Sequence, residues 1–246
     1  MRNNLEIVNI LLEKGANPEC LVIADGLDIN ILGMAVNVEE GVDPEIMTAI
    51  LKKNQNADIL PRSKQSLFLL AIKNGYYPYV RAYIDSGRNY SDPIESGKDV
   101  NRVSIKPVDQ LIGSGENMSY EILEAMIDGG GVNSETTVTH GEISLLFYAI
   151  YKDNFKLVKF LLDKGMDCIN PQRVHKNSDI QVTPEEFASD INKSNKDTII
   201  GYIKQKAIEV QKTPSGILAG GAVEKTLKTL TSKNRAGNEV GQFLKG

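Results

Sequence analysis

The stretch SLLFYAIYKDNFKLVKFLLDKG, residues 144–165, contains two short amphipathic patterns separated by a polar turn. In the first pattern Leu145, Leu146, Ala149 and Ile150 share one face of a helix. The second pattern has the same spacing and is made of Leu157, Val158, Leu161 and Leu162. Isolated helices this short are marginal in water. The stretch therefore predicts a helix-turn-helix hairpin whose apolar stripes are buried against neighbouring elements.

The end of this hairpin also follows from its residues. Gly165 comes directly after Asp163 and Lys164, and a glycine in the left-handed conformation commonly ends a helix. The lysine side chain is favourable in the last turn, where the helix dipole is negative. We therefore expect the second helix to stop at Gly165.

The pattern recurs along the chain. Residues 66–87, SLFLLAIKNGYYPYVRAYIDSG, have the same length, the same Ala-Ile pair and the same closing glycine. Weaker copies occupy residues 29–54, 106–130 and 183–205. One position of the first helix is occupied in successive copies by Ala35, Ala71, Leu111, Ala149 and Ala188, at intervals of 36, 40, 38 and 39 residues. Such regular spacing indicates an internal repeat.

A small residue at that position lets the two helices of a hairpin approach closely. Leu111 is the exception, so we expect the middle copy to be splayed or differently packed.

The sequence resembles the ankyrin-repeat family, whose unit is a turn plus two antiparallel helices, with a Thr-Pro-Leu-His-x-Ala signature and a period of about 33 residues. Thr183-Pro184 precede Ala188, and Lys106-Pro107 precede Leu111, at the spacing of that signature. LEIVNILLEKGANPE, residues 5–19, and KLVKFLLDKGMD, residues 156–167, are similar to the second helix and following turn. The signature histidine is absent from every copy, and the period is longer.

The resemblance implies an all-α ankyrin-repeat solenoid of helix-turn-helix hairpins with long connecting loops. A solenoid keeps one continuous core as it grows, so a single domain over residues 1–206 is expected. Its parts are a partial repeat at 1–28 and repeats near 29–65, 66–103, 104–143, 144–182 and 183–206. The partial repeat has a second helix without its first, which favours a chain that begins inside a longer array or at a late methionine. Cover by another segment is the third alternative.

Residues 207–246 leave the repeat pattern and carry six basic residues against three acidic ones. Thr213-Pro214 can open a helix, although Gly216, Gly220 and Gly221 weaken it. A capping helix over 213–232 followed by disorder beyond Arg235 is our prediction for this tail. A wholly disordered tail and a targeting signal are the alternatives.

Composition excludes several classes of protein. The net charge of −4 gives no global reason to expect nucleic-acid binding. Cys20 and Cys168 are too few and too distant for a disulfide framework, which suits a reducing compartment. No apolar run approaches the length of a membrane span, about 18 residues.

Residues with catalytic chemistry are sparse. His140 and His175 both fall in polar connections, and the spacing motifs of metal, phosphate-binding and nucleophile sites are absent. Gly129–Gly131 follow a helical pattern, which favours a helix stop and a flexible turn over phosphate binding. Glu185-Glu186 follow an N-cap and a first-position proline, so we expect them to initiate a helix. We predict no catalysis, no cofactor and no metal.

The connections are unusually long and contain arginine, tyrosine and histidine, which suits projecting hairpins. Connections of this length are commonly functional, although solenoids also tolerate insertions without function. In the ankyrin family the turns and the exposed side of the first helices line a concave binding surface. The residues that the resemblance places there, together with those of the long connections, are Asn37, Lys73, Asn74, Arg88, Tyr90, Arg102, Tyr151, Lys152, Arg173 and His175.

These observations predict a monomeric, non-catalytic scaffold that binds a partner protein. The alternative is a substrate-recruiting or regulatory fragment of a larger enzyme. Degenerate ankyrin arrays with polar tails resemble the effectors that intracellular bacteria inject into host cells. The expected location is therefore cytoplasmic, with secretion into a host cell as the variant that this resemblance suggests.

Overall fold

A computed structural model describes residues 4–24, 27–37, 42–60, 63–98, 102–138, 143–175 and 178–212. Within these residues the chain is mostly helical, with eleven α-helices and four antiparallel pairs of short strands. The chain divides into two compact units, Met1–Val132 and Asn133–Gly246, called unit 1 and unit 2 below.

Unit 1 contains seven of the described helices and two of the strand pairs. The helices are α1 (Leu5–Glu13), α2 (Ile31–Asn37), α3 (Pro44–Lys53), α4 (Leu67–Lys73), α5 (Tyr77–Asp85), α6 (Pro107–Ile112) and α7 (Tyr120–Asp128). The strands are β1 (Val22–Ala24), β2 (Leu27–Ile29), β3 (Ile94–Ser96) and β4 (Val103–Ile105). β1 pairs with β2, and β3 pairs with β4.

Unit 2 repeats the same alternation of strand pairs and helix pairs. Its strands are β5 (Thr137–Val138), β6 (Ile143–Ser144), β7 (Gln172–Arg173) and β8 (Gln181–Val182), paired in that order. Its helices are α8 (Leu145–Tyr151), α9 (Phe155–Asp163), α10 (Pro184–Asp190) and α11 (Lys196–Gln211). The long connections therefore form hairpins.

Local sequence signals set the helix ends. The Ser66 hydroxyl accepts from the Leu69 amide, which caps α4, and Ser144 caps α8 in the same way. Thr183 and Glu186 form a complete capping box at the start of α10, which confirms the predicted helix start there. Gly165 has φ +84° just after α9, which confirms the predicted helix stop.

The helices of unit 1 pack in two rows. The first helices of successive pairs contact each other, because α4 packs against both α2 and α6. The second helices do the same, since α3 packs against α1 and α5, and α5 packs against α7. Phe68 on α4 stacks on Tyr83 of α5 with ring centroids 3.9 Å apart, which joins the two rows.

Unit 2 is built in the same manner. α8 packs against α9 and α10, while α11 packs against α9 and α10. The rings of Phe147 on α8 and Phe187 on α10 stack at 4.5 Å, and both side chains are fully buried. Leu161 on α9 is also fully buried, as its helical phase predicts.

The pair formed by α6 and α7 is packed less closely than three of the other pairs, α4 with α5, α8 with α9 and α10 with α11. Leu111 is fully buried on α6. The connection at 113–119 includes a short 3-10 turn, Gly115–Asn117, and α6 contacts α7 less closely than α4 contacts α5. The α2–α3 pair has Ala35 at the equivalent position and shows no closer contact, so the looser pairing does not test the effect predicted for Leu111.

Two predictions fall outside the described ranges. These are the capping helix at 213–232 with the disorder beyond Arg235, and the connection that contains His140. None of the described helices is long and apolar enough to cross a membrane.

Candidate protein-binding surface

The structure divides the predicted partner-binding residues between the two units. Unit 1 contains Asn37, Lys73, Asn74, Arg88, Tyr90 and Arg102. Unit 2 contains Tyr151, Lys152, Arg173 and His175.

In unit 1 three of the predicted residues lie at the ends of first helices. Asn37 is the last residue of α2. Lys73 is the last residue of α4, and Asn74 caps that helix; both side chains are exposed. Arg102, next to β4, is exposed and forms a salt bridge with Glu95 of β3 at 2.8 Å. An exposed pair of this kind contributes little to stability, so its groups remain accessible to a partner.

Tyr90 does not lie on the surface, so its predicted role as a partner contact is wrong. Its side chain is buried. The hydroxyl donates to the Met126 carbonyl at 3.2 Å and accepts from the Gly131 amide at 3.1 Å. The ring occupies the space beside Gly131, where an added Cβ would come within 2.0 Å of a ring carbon. Burial raises the pKa of Tyr90. Tyr90 is therefore a core residue.

The Tyr90 contact also accounts for two of the three glycines that follow α7. Gly129 caps α7, and Gly130 has φ +79°, so the predicted helix stop is confirmed. Gly129 and Gly131 have a second function that the sequence did not reveal, because a side chain at either position would overlap the Tyr90 side chain.

Arg88 is likewise engaged inside unit 1 rather than offered to a partner. Its guanidinium donates to the carbonyls of Leu51 and Asn54 at 2.8 and 2.6 Å, which satisfies the C-terminal end of α3. The guanidinium also lies 5.5 Å from the centroid of the Tyr83 ring. The prediction of a partner contact at Arg88 is therefore replaced by a helix-capping role.

A buried carboxylate lies near Arg88. Asp58 is 3% exposed; its Oδ1 accepts from the Tyr79 hydroxyl and the Phe68 amide, both at 2.9 Å, and its Oδ2 accepts from the Ser66 hydroxyl at 2.7 Å. Burial raises the pKa of Asp58 to about 6, although these hydrogen bonds and Arg88 act in the opposite direction. Because both carboxylate oxygens are occupied by protein donors, we assign Asp58 a structural role.

In unit 2 two tyrosines and two lysines form a group that we call the tyrosine–lysine patch: Tyr148, Tyr151, Lys152 and Lys193. Tyr151 is half-buried at the end of α8, with the Lys193 ammonium 5.3 Å from its ring centroid. The exposed Lys152 caps the helix, and its ammonium lies 5.5 Å from the centroid of the Tyr148 ring. Both distances are typical of cation–π contacts.

Hydrogen bonds between two turns hold this patch in place. Asp153, in the α8–α9 turn, has φ +58°, a conformation that aspartate tolerates better than most residues. Its carboxylate accepts from the Ser194 hydroxyl at 2.5 Å and from the Asn195 amide at 3.1 Å. The Asn195 side chain donates back to the Asp153 carbonyl at 3.2 Å. These bonds fix the α10–α11 turn, and with it Lys193, beside Tyr151.

The remaining two predicted residues lie on the β7–β8 hairpin. Arg173 is the second residue of β7 and is exposed. His175 follows two residues later and is half-buried, and its carbonyl accepts from the Ser178 amide at 3.0 Å. The hairpin leads directly into α10, because β8 ends immediately before the Thr183 cap.

Sequence reasoning missed two members of the patch, Tyr148 and Lys193. Tyr148 and Lys152 are four residues apart on one helix face, a spacing that could have revealed their contact. Lys193 offered no such signal, because the contact with Tyr151 joins residues of different helix pairs.

Unit 1 also contains an open pocket of about 460 Å³, lined by Glu19, Leu21, Asn30, Asn56, Ile59 and Lys64. The Asn30 side chain is the buried polar group of its wall, and it donates to the Ala57 carbonyl and accepts from the Gly33 amide. These bonds give Asn30 a structural role. In the described part of the chain, no cluster of three or more His, Cys, Asp or Glu side chains is placed to hold a metal ion.

No protein-family model matches this chain, and no curated protein shows significant similarity to it.

Proposed function

We propose that the chain is an ankyrin-type repeat protein and that it binds a partner protein, without catalysis, through the ends of its first helices and the adjoining turns and hairpins. Support comes from the alternation of helix pairs with short strand hairpins, and from first helices that pack on first helices within each unit. That arrangement agrees with the turn and two antiparallel helices of the ankyrin unit.

The observation that carries the proposal is the equivalence of two helix ends. Lys73-Asn74 end α4, and Tyr151-Lys152 end α8; each pair directly follows an Ala-Ile pair whose side chains are buried. The repeat thus keeps its core residues in register and varies the residues next to them. Different side chains on a repeated framework give each repeat protein its own binding surface.

Tyr151 is the best candidate for an energetic anchor. Tyrosine and arginine dominate the binding energy at protein interfaces, where a few residues each contribute more than about 2 kcal/mol. Tyr151 is half-buried, and Lys193 lies over its ring, so the side chain is already ordered before a partner arrives. A preordered side chain loses less conformational entropy on binding.

The proposal is tested by site-specific photo-crosslinking. A photoreactive phenylalanine analogue is placed at position 73 or 151, and as matched controls at the exposed Glu121 or Lys156 of the second helices. We expect one defined protein adduct from positions 73 and 151 and none from the controls. Equal labelling from all four positions contradicts the proposal.

The captured protein then provides a quantitative test of Tyr151. We expect Tyr151→Ala to weaken binding at least tenfold, ~1.4 kcal/mol, in isothermal titration calorimetry, with the melting temperature nearly unchanged. Binding at full strength would remove Tyr151 from the interface. Loss of the folded state would instead assign Tyr151 to the core.

A further inference from the structure

We propose that the tyrosine–lysine patch of unit 2 recognises an acidic segment of the partner protein, through Tyr148, Tyr151, Lys152 and Lys193. This inference rests on the proposed function, because it assigns a chemical class to the partner of that surface. Three features of the patch support it: the placement of its cations, the hydrogen bonds that occupy the Asp153 carboxylate, and the clamp that orders the turns.

The first feature is the placement of positive charge on two aromatic rings. The ammonium groups of Lys193 and Lys152 lie 5.3 and 5.5 Å from the ring centroids of Tyr151 and Tyr148. Each ring has a negative face, so it attracts the ammonium group and restricts its position. The patch therefore offers two localised cations beside apolar ring surface, a combination that suits an acidic side chain next to an apolar one.

The second feature concerns the neighbouring acids. Neither Lys152 nor Lys193 forms a salt bridge with any described residue. The carboxylate of Asp153 is next to Lys152 in sequence, but its oxygens accept from Ser194 and Asn195 in the clamp between the turns. Asp190 at the end of α10 is half-buried. The positive charge of the two lysines is therefore not matched by a salt bridge within the described part of unit 2.

A second cluster in the same unit contains lysines that do form salt bridges. Lys159 and Lys206 both form salt bridges with Asp163 at 2.7 Å, and Tyr202 donates to the same carboxylate. In that cluster one tyrosine and two lysines all contact the carboxylate of Asp163. The tyrosine–lysine patch has the same residue types, and the acid is what a partner would supply.

The third feature is preorganisation. The hydrogen bonds of Asp153 with Ser194 and Asn195 fix the turn that carries Lys193. Asn195 reinforces this clamp through its own bond to the Asp153 carbonyl. Because the turns are already ordered, a bound acidic segment gains electrostatic attraction without paying to order the surface.

An acidic protein segment fits better than a nucleic acid. Nucleic-acid sites depend on many cations that follow the phosphate backbone. This chain has a net charge of −4, and the patch contributes two lysines. Preferential binding of RNA would therefore contradict the inference.

The test uses the full chain and a random peptide library. Peptides displayed on phage are selected on the immobilised protein, and the enriched sequences are synthesised with a fluorescent label. Dissociation constants are measured by fluorescence polarisation for the wild type and for Lys152→Glu/Lys193→Glu. The matched control is Lys52→Glu/Lys53→Glu, which makes the same charge change at exposed positions of α3 in unit 1. A labelled single-stranded uridine oligonucleotide serves as the nucleic-acid probe.

We expect the selected peptides to be rich in Asp and Glu. Their affinity should fall at least tenfold in the patch variant, change little in the control variant, and weaken as salt is added. Circular dichroism checks that both variants are folded; if the patch variant unfolds, Lys193→Gln replaces it, with a smaller expected loss.

Three results overturn the inference. The first is a set of enriched peptides without an excess of acidic residues, and the second is unchanged affinity of the peptides for the patch variant. If the crosslinks from positions 73 and 151 persist in either case, the proposed function still stands. Tighter binding of the oligonucleotide than of acidic peptides also overturns it. Failure of both the selection and the crosslinking defeats the proposed function as well.

Discussion

Asp58 is expected to make the stability of unit 1 depend on pH. Its carboxylate is 3% exposed, and the ionised form loses its hydration on folding. Hydrogen bonds from Ser66, Tyr79 and the Phe68 amide favour the ionised form, as does the positive charge of Arg88. Burial outweighs them and raises the pKa from 3.8 to about 6.

The direction of the effect follows from this shift. Since the folded protein holds the Asp58 proton more tightly than the unfolded chain, the contribution of this group favours folding below pH 3.8 and is lost as the pH rises through about 6. A shift of about two pKa units corresponds to about 3 kcal/mol. This trend opposes that of ordinary acidic residues, whose folded-state pKa is lowered.

The test compares Asp58→Asn with the wild type at pH 4 and pH 7. Asparagine has nearly the shape of the neutral acid and cannot ionise, so the pH-dependent contribution of position 58 is removed. We expect the free energy of unfolding of the variant relative to wild type to be about 2–2.5 kcal/mol more favourable at pH 7 than at pH 4, because at pH 4 the carboxyl of the unfolded chain is already partly ionised. Urea denaturation followed by circular dichroism measures this difference, in which the contributions of all other ionisable groups cancel.

Asp179→Asn, at an exposed position of unit 2, is the control and should show no comparable difference. The reasoning is refuted if Asp58→Asn and wild type have parallel pH profiles. A difference of the opposite sign would show that the three hydrogen bonds and Arg88 outweigh the desolvation of Asp58.

Two further predictions concern packing. Leu161→Ala should lower the free energy of unfolding by about 2–5 kcal/mol in urea titration, because Leu161 is fully buried; a loss below about 0.5 kcal/mol would contradict its placement in the core. Gly131→Ala should lower it by ~1–3 kcal/mol, since the new methyl group overlaps the Tyr90 ring. Gly201→Ala on α11 is the control, because no atom lies within 4 Å of an added Cβ there and alanine should stabilise the helix. A gain in stability at both glycines would show that the Tyr90 contact is absent.

The helix pairs could be predicted from the sequence because their signals are local. Apolar residues three and four apart define a helix face, and a cap acts on an amide two or three residues away. For this reason the Thr183 capping box and the stop at Gly165 lie where the sequence predicts them. The exposed ends of α4 and α8 follow from the same phase, since Lys73 and Lys152 fall outside the apolar stripes.

The misplaced site residues share one cause. Arg88 and Tyr90 look like interface residues, because arginine and tyrosine in a long connection are usually exposed. Their partners in the fold are carbonyls of Leu51 and Asn54 for Arg88, and the backbone around Met126 for Tyr90. No local pattern predicts which backbone groups are left unsatisfied at such a separation, so only the folded chain shows that both side chains point inward.

The sequence by itself thus determined the helices of this protein and their order, because hydrogen bonds and apolar periodicity within a helix depend on residues a few positions apart. Only the tertiary structure decided the contacts between elements: Asp58 with Tyr79, Tyr90 with Gly131, and Lys193 with Tyr151. Each contact joins residues 21 to 42 positions apart. Their distances depend on how whole helices pack, and packing is a property of shapes in three dimensions that a one-dimensional pattern does not contain.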